Sequence, residues 1–284
     1  TAVGHHTGAN ITTGTANTFV GGLAGDATDD GTNNTAMGYL ALSANCGNDN
    51  TAIGKASLQV ATGGGNVAVG KDSGLSLTSG ELNTFIGASA GDGTDDGNDN
   101  VAIGHQALSA NAGDDNIAIG KDALLVNVKN QNIAIGSHAL DADVNGGTSV
   151  AIGHNALTAQ NPATAVDMMN VAVGNSAGMS VTTGINNTFV GGGAGDATTT
   201  ANQNVAVGKD AFTSNVAGAK NVAIGTAAMA NFNVTATDSL NTCVGDHAGS
   251  AMTTGVFNVC VGGNAGDALT DADGNVAIGR HALG

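Results

Sequence analysis

Asn100-Val101-Ala102-Ile103-Gly104 is the stretch that decides the fold, because the chain repeats it from end to end. The same phrase stands at Asn50-Thr51-Ala52-Ile53-Gly54 and at Asn221-Val222-Ala223-Ile224-Gly225. Its glycines fall at 4, 21, 38, 54, 70, 87, 104, 120, 136, 153, 174, 191, 208, 225, 245, 262 and 279. That makes 17 copies, 16 or 17 residues apart except for two steps of 21 and 20. With each of these glycines as position 0, position −1 is Val, Ile or Met and position −3 is Thr, Val or Ile. Position −2 is Ala, replaced by Phe19, Phe85, Phe189, Cys243 and Cys260. Position −4 is Asn in 15 of the 16 copies that include it, with Ser149 the exception.

A β-branched, small, β-branched triplet reads as a short strand, with −3 and −1 on one face and −2 on the other. Both faces are apolar, which predicts a strand covered on both sides, with the −2 face meeting a partner. The glycine then turns the chain. A period of 16 or 17 is too short for helix-pair repeats and fits one coil of a parallel β-solenoid, or β-roll. Coils stack about 4.8 Å apart, so 17 of them predict a rod on the order of 80 Å long. Residues 1–284 read as one repetitive segment. The opening Thr1-Ala2-Val3-Gly4 falls in mid-motif, so the segment is expected to belong to a longer chain. Stacking also predicts a structural ladder of buried asparagines, Asn50, Asn100, Asn116, Asn132 and Asn221 among them.

Composition agrees with a roll. There are 46 Gly, one Pro, one Tyr and no Trp, which excludes a core built on large rings. The formal charge is −16, and no basic cluster exists to displace counterions from phosphate, which argues against nucleic acid as a partner. No apolar run reaches the roughly 18 residues that a membrane-spanning helix needs, so membrane insertion is not expected within this segment. Five of the seven Lys and Arg stand at +1, and all seven His at +1 or +2, which predicts one exposed corner that carries the cations. Asp72, Asp122 and Asp210 follow Lys at +2, so charge pairing between neighbouring coils is expected there.

Position +4 divides the coils into Gly and Leu kinds. Gly coils come in pairs, at Gly8 and Gly25, Gly74 and Gly91, Gly178 and Gly195, and Gly249 and Gly266. A unit of about four coils, near 66 residues, is thus superimposed on the single coil. The phrase Asn-x-Ala-Ile-Gly with Ala at +3 resembles the head repeat of trimeric autotransporter adhesins, and similar repeats occur in phage tail fibres. The resemblance covers essentially every coil. It implies a left-handed parallel β-roll in a homotrimer, set outside the cell, on its surface or on a virion. It implies attachment to a host-surface receptor or glycan, without catalysis. The coils here are longer than is usual for such heads.

No enzyme signature is present: repeated surface Ser and His offer no unique nucleophile, and near-identical coils offer no singular concave site. Other readings of the same repeat are an ice-binding solenoid, disfavoured by the irregular spacing of Thr at −3, and a homopolymeric extracellular filament. Cys243 and Cys260 share position −2 one coil apart and are expected to pack as small hydrophobes, not to bridge. The two longer coils carry insertions, at 159–169 and 230–240, expected to bulge as loops. Pro162 and Asp167 in the first, and Phe232 and Asn233 in the second, are candidate binding-loop residues. Acidic turns gather carboxylates near Asp29, Asp96 and Asp271. Carboxylates with glycine-turn carbonyls are hard oxygen ligands suited to Ca²⁺, so these three are candidate metal ligands. The alternative is a solvated acidic edge that keeps the chain soluble, with no cofactor at all.

Overall fold

A computed structural model describes residues 1–234 and 238–284. The fold is an all-β parallel β-solenoid of about 16 turns, with no helix among the described residues. The chain divides into two compact units, Thr1–Val144 and Asn145–Gly284. In the first unit nine strands form one parallel sheet, from Ala2–Val3 and Thr18–Val20 to Ile133–Ile135. In the second, among the described residues, eight strands pair in the same parallel way from Val150–Ile152 to Val276–Ile278, beside a separate short pair. Register is copy on copy. Phe19 pairs with Ala36, Ala36 with Ala52 and Ala52 with Ala68. In the second unit Ala223 pairs with Cys243, and Cys243 with Cys260.

Each three-residue strand points its middle side chain inward and the flanking two outward. Ala36, Ala68, Ala118 and Ala206 at −2 are fully buried, whereas Met37 and Ile152 at −1 are 48% and 37% exposed. This corrects the expectation that −2 meets a partner: that face is filled within the chain. The reason is width: the lumen of so short a coil admits only Ala at −2 opposite a Leu at +4, and Phe or Cys there only where +4 is Gly. Gly at position 0 is set by the same tight stacking. A Cβ added to Gly104 would lie 2.5 Å from the carbonyl oxygen of Gly120 in the next coil. Gly4, Gly54, Gly87 and Gly191 abut the backbone of the next such glycine in the same way.

The core is filled by Ala at +3 and by Leu at +4, as at Leu58, Leu108, Leu124 and Leu157, all fully buried. Residues at +4 have positive φ, as in Leu124 at 50°. The Gly coils complete this core differently. Phe85 occupies the space that two missing Leu side chains leave. A Cβ on Gly91 would meet its ring at 2.7 Å, and one on Gly74 would meet it at 3.0 Å. Phe189 does the same between Gly178 and Gly195. In the fourth pair Cys243 and Cys260 hold the Phe position, and Met252 and Leu269 reach toward Gly249 and Gly266. The pair of Gly coils is therefore a packing unit: one ring serves two glycines.

The insertions are only partly loops. In the first, Val166–Asp167 pairs in parallel with Gly146–Gly147, and the Met168 amide donates to the Gly147 carbonyl at 3.0 Å. Residues 163–167 are exposed, while Pro162 and Met168 are buried. In the second, Phe232 is fully buried and stacks on Phe212 with ring centroids 5.8 Å apart. Asn233 is exposed, and Lys220 pairs with Asp238 at 2.5 Å. Residues 235–237 of this insertion lie outside the described residues.

Candidate functional site

Three features could act on something outside the chain: the outer sheet face, the corner at +1 and +2, and the polar turns. The outer face is built from −3 and −1 of successive strands, Val, Ile, Thr and Met without a charge. Ile53, Ile86 and Met37 in the first unit are 37%, 39% and 48% exposed. In the second, Ile224 and Val261 are 37% and 36% exposed. Apolar residues aligned along a strand face are the signature of a contact surface.

Beneath this face the asparagines tie coil to coil. The Asn50 side chain donates from Nδ2 to the Gly63 carbonyl at 3.0 Å, and its Oδ1 accepts from the Asn66 amide at 3.0 Å. Asn100 repeats this with Gly113 and Asn116, at 2.8 and 2.9 Å. Asn116 donates to the Lys129 carbonyl and accepts from the Asn132 amide. Asn132 donates to Asn127, and Asn221 donates to Asn204 and accepts from the Asn241 amide. These buried amides satisfy backbone groups of the next coil, so their chemistry is spent inside. At the one coil with Ser149, Gln160 bridges instead, donating to Ser149 Oγ at 3.1 Å and accepting from Asn170 at 2.9 Å. Gln160 belongs to the first insertion, and the swap was not legible in the repeat.

At the corner, Lys71 pairs with Asp72 and Lys209 with Asp210 inside one coil. Pairing between coils comes from histidines. Asp122, only 8% exposed, faces Lys121 at 2.8 Å, His138 at 3.8 Å and His105 at 4.0 Å, drawn from three successive coils. An exposed pair such as Lys209–Asp210 contributes roughly 0 to 1 kcal/mol. Cys46, Cys243 and Cys260 are free and buried. Burial raises the Cys46 thiol, and the hydrogen bond that Cys243 donates to its neighbour Cys260, added to burial, raises that of Cys243.

The polar turns hold a recurrent arrangement. The Thr12 hydroxyl donates to the Asp29 carboxylate, and the Asp29 amide donates to Asn45 Oδ1 at 2.8 Å. Sixty-six residues on, Thr78 donates to the Asp95 carboxylate, and the Asp95 amide donates to Asn111 Oδ1 at 2.9 Å. Each trio lines an open groove, of about 560 and 530 Å³ respectively. The structure brings Asp29 into this arrangement, but not Asp96 or Asp271. Asp96 is an exposed turn residue of the first unit. In the second unit Asp271 accepts from the Thr270 hydroxyl at 3.2 Å. Among the described residues no three His, Cys, Asp or Glu side chains stand close enough to hold a metal ion.

Of the candidate loop residues, Asp167 and Asn233 are exposed and available. Pro162 and Phe232 are not: the first is buried, and the second is committed to the core, where stacking on Phe212 outweighs exposure. No protein-family model matches the chain, and no curated protein matches it.

Proposed function

We propose that the chain is a non-enzymatic structural and attachment segment: a β-roll that associates as a homotrimer outside the cell or on a virion and attaches it to a host-surface receptor. The observation that carries this reading is the outer sheet face. Two of every three strand residues there are apolar or Thr, uncharged in every copy and half-exposed in a single chain. Covering a Val or Ile side chain contributes roughly 1.5 to 3 kcal/mol at full burial, and the face repeats that gain at every coil. Like copies are the natural cover, because a periodic face matches itself in register. The partner face is thus −3 and −1, not −2.

The acidic turns, the cation corner and the insertions remain outside this contact and are free to meet a receptor. The test is a solution mass for the full chain and for Ile103→Glu, which sets a carboxylate on the outer face without touching the lumen. A trimer that dissociates in the variant supports the reading, provided the variant's circular dichroism is unchanged. A wild-type chain that stays monomeric at micromolar concentration overturns it.

A further inference from the structure

The two grooves of the first unit share one polar trio, although Ile11 lines only the first and Gln59 and Val60 only the second. Thr12, Asp29 and Asn45 correspond to Thr78, Asp95 and Asn111 at a constant offset of 66 residues, and Ala9, Asn10 and Ala27 correspond to Leu75, Ser76 and Gly93. In both grooves Thr, Asp and Asn lie on three successive coils and are exposed. Their mutual hydrogen bonds are the same in both, and so is what they leave over. Asn45 and Asn111 each spend Oδ1 on a backbone amide, so Nδ2 remains without a hydrogen bond in the protein. Asp29 and Asp95 each spend Oδ1 on a threonine hydroxyl, so Oδ2 remains as an acceptor.

We propose that each groove binds a neutral oligosaccharide, giving two sites per chain. This rests on the attachment reading above and specifies its ligand chemistry. An amide donor and a carboxylate acceptor on neighbouring coils, which stack about 4.8 Å apart, suit sugar hydroxyls, which donate and accept at once. Three coils span about 10 Å, enough for two sugar rings. Both grooves are open, so even Val60 and Leu75 in the second enclose no pocket for a peptide side chain. The net charge of −16, with a carboxylate at the centre of each groove, disfavours sialylated or sulfated chains. The grooves lie on turns, away from the outer sheet face, so trimer contacts leave them open. In the second unit the matching turn carries Thr182 bonded to the Thr199 carbonyl, without the aspartate.

The test is calorimetric titration of the full chain with hexaoses of glucose, galactose, mannose and N-acetylglucosamine, beside a sulfated hexaose. At least one neutral hexaose is expected to bind with two sites per chain, and the sulfated one not at all. Asp29→Ala with Asn45→Ala should leave one site, and adding Asp95→Ala with Asn111→Ala should leave none. In the first variant the intact second groove reports that the chain is still folded. Absence of binding by every neutral hexaose, or a site count unmoved by the four substitutions, overturns the proposal. The two readings fail separately. A chain that adheres to host cells yet binds no hexaose overturns the grooves alone, whereas one that binds hexaoses yet adheres to no cell overturns attachment alone.

Discussion

Asn50 stands where two backbone needs meet, an amide from one coil position and a carbonyl from another, both buried. Asn50→Ala should therefore cost about 2 kcal/mol or more, since each orphaned buried group costs about 1–3 kcal/mol. Denaturant unfolding of the variant measures this, and a loss below 0.5 kcal/mol, on the order of a surface change, would sink the ladder's structural role. Asn50→Asp keeps the acceptor but turns a carboxylate toward the Gly63 carbonyl. Its penalty should grow as pH rises above the ordinary carboxylate range, because only the protonated acid can donate. That this asparagine is structural was readable from sequence, since stacking alone demands identical neighbours. That Gln160 stands in for the Ser149 coil was not, because the substitute lies eleven positions away and outside the period.

Coils reveal what periodicity conceals. The strand triplet, the glycine turn and the parallel stacking were all legible, because each leaves a residue at a fixed place. Which strand face points inward was not legible, since both are apolar and only the width of the lumen separates them. Phe232 misled for a related reason: it sits in an insertion but supplies a ring to the core beside Phe212. The complementarity of Phe and Gly gives a sharp test. Phe85→Ala should cost about 3–5 kcal/mol. Gly91→Ala should be strongly destabilising alone, with its φ of 62° and its new Cβ 2.7 Å from the ring. In a Phe85→Leu background the same Gly91→Ala should cost less, and strictly additive unfolding free energies would refute the coupling.

One turn has a pH signature. Burial raises the Asp196 carboxyl, and the neighbouring Asp210 adds to that rise. A raised folded-state value means the contribution to stability is full below the ordinary carboxylate range and is lost as pH rises through the folded value. Asp196→Asn should thus raise the melting temperature at pH 7 and leave it unchanged near pH 3. A variant that melts lower at neutral pH would reverse the sign.

At the scale of the whole molecule, 23 acids against 7 Lys and Arg must repel one another, and salt should relieve this. Melting temperature is expected to climb with ionic strength, equally for CaCl₂ and MgCl₂ at matched strength. A rise peculiar to Ca²⁺, lost in Asp29→Asn, Asp96→Asn or Asp271→Asn, would instead make those carboxylates ligands. The sharing of one phenylalanine between two glycines also bears on how such a chain can grow and shrink. A single Gly coil is not a free module, because cutting one out strands a ring or leaves its hollow empty. Removing residues 5–70 joins Gly4 to Lys71 and takes away a whole phase of the pattern, so cooperative unfolding should persist. Removing residues 71–87 takes Phe85 from Gly91, and melting should fall and broaden. Genes for rolls of this kind would then gain or lose Gly coils in pairs, and recombination that splits a pair would be purged at the level of folding.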